Sequence, residues 1–283
     1  VTSGATEGIA AALLGLCNRG DRVVVFEPLY DAYAGVAAAA GVELAPVRLR
    51  PPAWALPPPA FGAAAGAEAE AEAEAAAVEA EAETAAAGTG AATEAGGRGD
   101  GGGGGGGQRG ELGRAFFPGG GKPPAKLVVV NTPHNPTGKV FSRAELARVA
   151  AFVRRSGALA LLDEVYEHLV HPAPASGGGG GAAAAAPGGV AAGGVDGGGG
   201  ATTTTAPPSP EEAPAPHEHV SLCTLPGMNG RCVRLGSAGK TFSFTGWKVG
   251  WATGPDRLLA PMVKAHQFLT FTVPPALQHG VAH

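Results

Sequence analysis

The 283-residue chain is long enough for one large domain or two small ones, and it sets 48 Gly and 25 Pro beside 45% hydrophobic residues. Gly and Pro at that level approach low-complexity sequence, yet the apolar content argues against a wholly disordered chain, so the composition must be uneven. Seven Glu within 68–83 account for more than the whole net charge of −4, which leaves no basic face for nucleic acid.

Cys17, Cys223 and Cys232 are odd in number and lack a C-x-x-C pair, which argues against a disulfide framework or a zinc site, so no metal is expected. No apolar run approaches the roughly 18 residues of a membrane span, so no membrane partner is expected, and the compartment stays open.

In chain order, Ser3-Gly4-Ala5-Thr6-Glu7-Gly8 leads into an apolar helix ending near Cys17, which reads as a packing residue. Small residues at a helix start let backbone N–H groups and the positive end of the helix dipole approach an anion; alone, the segment reads equally as a plain helix cap. Residues 22–26 form a short apolar strand that ends in Glu27-Pro28-Leu29-Tyr30. A tract over 57–110 follows, alternating Ala and Glu before seven consecutive glycines. Its helix would have no apolar face and many like charges four residues apart.

A second strand, 126–130, ends in Asn131-Thr132-Pro133-His134-Asn135-Pro136-Thr137-Gly138. The helix expected over 142–155 opens with Ser142 as N-cap and Glu145 three residues on, a capping box. A third strand, 158–162, runs into Asp163-Glu164-Val165-Tyr166. Residues 172–216 are a second tract, of Gly, Ala, Thr and Pro, and a fourth strand, 231–235, ends in Gly236-Ser237-Ala238-Gly239-Lys240. The expected organisation is therefore ordered blocks 1–56, 111–171 and 217–283, with 57–110 and 172–216 as surface insertions that do no chemistry.

Apolar strands alternating with helices imply an α/β fold: a mostly parallel sheet covered by helices on both faces, a three-layer sandwich. Ligands in such sheets bind beyond the carboxyl ends of the strands. The polar clusters after the four strands all fall there.

The stretch Gly236 to Thr241 admits three readings. A phosphate-binding P-loop needs glycine five positions before Gly239, where Arg234 stands. An S-x-x-K nucleophile at Ser237 lacks the S-D-N and K-T-G companions. The third is a Schiff-base lysine at 240, since a lysine amine is a good nucleophile once neutral. Asp163 reads as a turn or cap residue, or as a buried carboxylate paired with a cofactor's pyridine nitrogen. Asn131 and Asn135 suit a Pro-containing turn, Tyr30 a core aromatic, and Lys248 a surface charge.

Together these segments identify a resemblance. VTSGATEGI, GDRVVVFEPLYDAY, LVVVNTPHNPTGKVF, LLDEVYEHLV, VSLCTLPGMNGR, GSAGKTFSFTGWKVGWATGP and HQFLTF resemble fold-type I pyridoxal-phosphate aminotransferases of class I/II, of the kynurenine–oxoglutarate, glutamine and methionine transaminase group. The two low-complexity tracts have no counterpart there. The resemblance implies pyridoxal 5′-phosphate as cofactor and catalysis by Lys240. Asp163 would pair with the pyridine nitrogen, Asn135 and Tyr166 with the phenolic oxygen, and Tyr30 would stack on the ring. Gly4, Ala5, Thr6, Ser237 and Lys248 would hold the phosphate, Lys248 standing where many relatives have Arg; Asn135 would also meet substrate.

It further implies an amino acid and a 2-oxo acid as substrates and a homodimer. The family's N-terminal segment and C-terminal small domain, which carries the carboxylate-binding arginine, are expected outside residues 1–283, so this stretch alone should bind cofactor poorly. Cysteine-conjugate β-lyase and succinyldiaminopimelate aminotransferase chemistry are the enzymatic alternatives, and an inactive remnant is the non-enzymatic one.

Overall fold

The computed structural model describes residues 1–57, 110–170 and 219–283. The expected insertions thus lie almost wholly outside the described residues. The frame is a six-stranded sheet of β1 (Arg22–Glu27), β2 (Glu43–Arg48), β3 (Leu127–Asn131), β4 (Leu159–Asp163), β5 (Cys232–Ser237) and β6 (Gly250–Thr253). Its order is β2-β1-β3-β4-β5-β6, parallel throughout except for β6 against β5.

The four strands expected from apolar runs are β1, β3, β4 and β5. Two further strands had no such signature. β2 alternates exposed and buried residues and contains Pro46, which an edge strand tolerates because one side has no ladder to donate to. β6 is only four residues long and closes the other edge.

Alternate side chains of the strands feed two apolar layers, as their period of two requires. Val24, Phe26, Val128, Val130, Ala160 and Leu162 pack with α3 (Glu111–Phe116) and α4 (Arg143–Ser156). Val23, Val25, Leu127, Val129, Leu161 and Leu235 pack with α1 (Gly4–Leu16), α2 (Asp31–Ala40) and α6 (Asp256–Leu269). The sandwich is therefore three-layered. Helix α4 starts with the expected capping box: Ser142 Oγ accepts from the Glu145 N–H, and Glu145 returns to the Ser142 N–H. Cys17 caps the end of α1 and packs on the second layer, where burial pushes its thiol up to about 11.

Beyond β5 the chain makes one helical turn, α5 (Ala238–Thr241), and after β6 and α6 it ends in α7 (Pro275–Ala282). Thr2 pairs with Gly250, N–H to O at 2.8 and 2.9 Å, and so fastens the start of α1 to β6. The approach is close: a Cβ on Gly250 would sit 2.8 Å from the Gly4 carbonyl carbon.

Candidate active site

A cavity of about 590 Å³ opens beyond the carboxyl ends of β3, β4 and β5, beside the N-terminus of α1. That volume lies within the roughly 300–1,000 Å³ of small-molecule sites. Gly4, Ala5, Thr6, Tyr30, Asn135, Asp163, Tyr166, Ser237, Lys240 and Lys248 all line it. The ten residues singled out from sequence thus converge on one space, drawn from five separate parts of the chain.

The floor is Asp163, the last residue of β4 and 4% exposed. Its Oδ2 accepts a hydrogen bond of 2.5 Å from the Tyr33 hydroxyl. Its Oδ1 is buried and has no hydrogen-bond partner among the described residues. Burial pushes the carboxyl above its usual range, against the opposing hydrogen bonds from Tyr33 and the Val165 backbone N–H and the charge of Lys240. Tyr33 is itself buried, and burial with the neighbouring Asp163 holds its phenol well above its usual value, so it stays a donor.

Tyr33 was not a candidate from sequence, although it lies in a quoted matching stretch. Only its place on α2, edge-on to Tyr30 with ring centroids 5.7 Å apart, gives it a role. Asn131, at the end of β3, organises the turn as a turn asparagine should: it donates to the Asp163 carbonyl at 2.8 Å and accepts from the Asn135 N–H at 2.7 Å. That fixes where Asn135 meets the cavity.

Lys240 lies on α5 directly after β5, with Nζ 5.5 Å from the centre of the Tyr166 ring. Across the cavity, α1 starts at Gly4, whose φ of 75° turns the chain into the helix. The Gly4 N–H is used by the Thr2 carbonyl and the Ser3 N–H by Glu7 Oε2. The next N–H groups, of Ala5 and Thr6, belong to the first turn, where no carbonyl precedes them in the helix. The Thr6 hydroxyl lies 3.5 Å from that of Tyr30. Lys248 is exposed, sits in the left-handed region and brings its positive charge to the same rim. Helix N-terminus, hydroxyls and a lysine together form a cradle for an anion such as phosphate.

Glu164, next to Asp163 in the chain, belongs to a different arrangement. Arg234 binds its Oε2 at 2.5 Å and Glu167 at 2.9 Å. Glu164, Glu167 and His219 bring one ligand atom each within 4.8 Å of one another, and the Arg234 guanidinium bridges the two carboxylates. Among the described residues, no helix is long and apolar enough to cross a membrane.

Comparison with known proteins follows the same line. The family model for aminotransferases of class I and II matches residues 1–283. Kynurenine–oxoglutarate transaminase 1 of Mus musculus is 36% identical over 160 residues, 56% of this chain and 28% of its own length. Kynurenine–oxoglutarate transaminase of Dictyostelium discoideum is 29% identical over 281 residues, 99% of this chain and 45% of its own. The solved structure of N-succinyldiaminopimelate aminotransferase from Mycobacterium tuberculosis superposes with a TM-score of 0.60 at 28% identity, covering 99% of this chain and 48% of that one. The chain thus spans less than half the length of these relatives.

Proposed function

Because the chain belongs to the class I and II aminotransferase family, we propose that its cavity holds pyridoxal 5′-phosphate and exchanges an amino group between an L-amino acid and a 2-oxo acid. The observation that carries this reading is Asp163 Oδ1: a buried carboxylate oxygen without a partner, on a cavity wall that also bears Lys240. A buried polar atom of this kind is costly unless a ligand satisfies it. The donor set fits the cofactor, with an acceptor for a ring N–H at one end and a cradle for a phosphate at the other.

Bound there, the cofactor supplies an electron sink for charge that develops at the substrate α-carbon. Asp163 holds the proton on the pyridine nitrogen, and Tyr33 keeps Asp163 oriented. Asn135 and Tyr166 would donate to the phenolic oxygen, and Tyr30 would face the ring. Gly4, Ala5, Thr6, Ser237 and Lys248 hold the phosphate. Lys240 would supply the amine that holds the cofactor, and the same amine would accept and return a proton at the substrate α-carbon.

The named activity of the kynurenine–oxoglutarate transaminase relatives favours an amino acid donor of the kynurenine, glutamine or methionine kind, and the N-succinyldiaminopimelate aminotransferase relatives support a succinyldiaminopimelate-type donor as the alternative. β-Elimination from cysteine conjugates shares the same residues and is the second reading. An inactive remnant is disfavoured because Lys240, Asp163, Asn135 and Tyr166 all meet at one cavity. We also expect a homodimer; the exposed Phe242, Trp247, Phe268 and Phe271, close in sequence to cavity residues, support a covered surface.

The test is a half-reaction. The full-length protein loaded with pyridoxal phosphate changes its visible spectrum on adding kynurenine, glutamine or methionine, and recovers it on adding a 2-oxo acid. Release of pyruvate and thiol from a cysteine conjugate without this cycle would favour the lyase. No spectral response to any amino acid would overturn the proposal.

A further inference from the structure

Two carboxylates line the cavity, Asp163 and Glu7. Asp163 serves the proposed ring nitrogen, whereas Glu7 has no part in that chemistry. Glu7 lies in the first turn of α1, one residue after Thr6, and its side chain is 8% exposed. A negative charge there competes with any bound phosphate for the same positive helix end, and it repels a phosphate dianion at short range. Glu7 is nevertheless tied on both oxygens. Oε2 accepts from the Ser3 N–H at 3.1 Å, and Oε1 lies 3.1 Å from Nδ1 of His266.

His266 comes from the last turn of α6, and its carbonyl accepts the N–H groups of Thr270 and Phe271, which end that helix. Its Nδ1 also lies 3.2 Å from the Thr270 hydroxyl, and Thr270 lines the cavity. An ionised carboxylate only accepts hydrogen bonds, so Nδ1 carries the hydrogen and donates it to Glu7.

We propose that His266 is a positioning residue for the anion cradle: by holding Glu7 Oε1, it keeps the carboxylate of the first turn away from the phosphate and so sets affinity for phosphate-bearing ligands. This inference rests on the proposed cofactor. The contact joins two helices distant in sequence, and neither residue is needed to explain the sheet. Its effect acts on the phosphate end of the ligand alone, which separates it from a general packing role.

The experiment compares binding of pyridoxal phosphate with that of pyridoxal, which lacks the phosphate, by absorbance titration of the full-length protein. His266→Ala is expected to weaken pyridoxal phosphate about tenfold, the loss carried by one charge-assisted hydrogen bond, with pyridoxal affinity unchanged. His266→Gln, which keeps an N–H donor, should recover most of that loss. In a Glu7→Gln background, His266→Ala should cost nothing, because no charge remains to restrain.

Equal weakening of both ligands by His266→Ala, or the same loss with and without Glu7→Gln, would overturn the inference while leaving the cofactor reading intact. Failure of the unaltered protein to bind either ligand would instead overturn the cofactor reading, and this inference with it.

Discussion

Replacing Asp163 by Asn separates the stability of the ligand-free fold from its capacity to bind. The carboxyl is 4% exposed, with one oxygen bonded to Tyr33 and the other unpartnered. Burial raises it above its ordinary value of 3.8. A carboxyl raised on folding favours the folded state most when protonated, so its contribution is fully present below about pH 3.8 and fades as pH rises through the folded value. Asparagine carries no charge to desolvate and can still accept from Tyr33. The ligand-free Asp163→Asn protein should therefore be more stable than the parent at neutral pH by about 1–3 kcal/mol, the extra cost of burying a charge where the amide buries only a neutral polar group, with the difference closing toward pH 4.

Urea denaturation across pH reads this difference directly. The same variant should bind pyridoxal phosphate about 10–100-fold more weakly, because the ring N–H loses its charged acceptor. A less stable variant at neutral pH, or a difference that does not change with pH, would refute the reasoning about burial. Undiminished binding would refute the placement of the pyridine nitrogen.

Tyr33→Phe removes the hydrogen bond that opposes burial of Asp163. Its carboxyl should rise further, so that cofactor affinity, followed by absorbance, falls about tenfold and falls most at low pH. Gly250→Val places a side chain against the Gly4 backbone at 2.8 Å; it should cost about 1–3 kcal/mol in urea denaturation and weaken pyridoxal phosphate more than pyridoxal. Arg234→Met leaves Glu164, 1% exposed, without its guanidinium. It should destabilise the fold by about 2–3 kcal/mol, less than a fully buried pair because Arg234 is 37% exposed, while leaving the cofactor spectrum of the folded fraction unchanged.

Much of this arrangement is legible in the chain because the cores of β1, β3 and β4 are buried on both faces, and burial on both faces writes itself as runs of Val, Leu, Ala and Phe; β5 is interrupted by Arg234 and is marked instead by the Gly-Ser that ends it. Their polar carboxyl-end residues then announce themselves by contrast, as Asp163 does after five apolar residues. The edge strands escape for the converse reason. β2 has one open side, carries Pro46 and alternates, and β6 is too short for any period to emerge.

Tyr33 and His266 escape because their partners, Asp163 and Glu7, are 130 and 259 residues away in sequence. Nothing local distinguishes a tyrosine that donates to a buried carboxylate from one that fills a core. Asn131 shows the opposite: its role as a turn organiser follows from its local setting, and the hydrogen bonds to Asp163 and Asn135 agree with it.

The central claim is that the amine of Lys240 carries the cofactor. Incubating the full-length protein with pyridoxal phosphate, reducing with borohydride and mapping the product by peptide mass spectrometry tests it directly. A single pyridoxyl group on Lys240 is the predicted result; labelling of Lys248 or another lysine in its place, or no label at all, would contradict it.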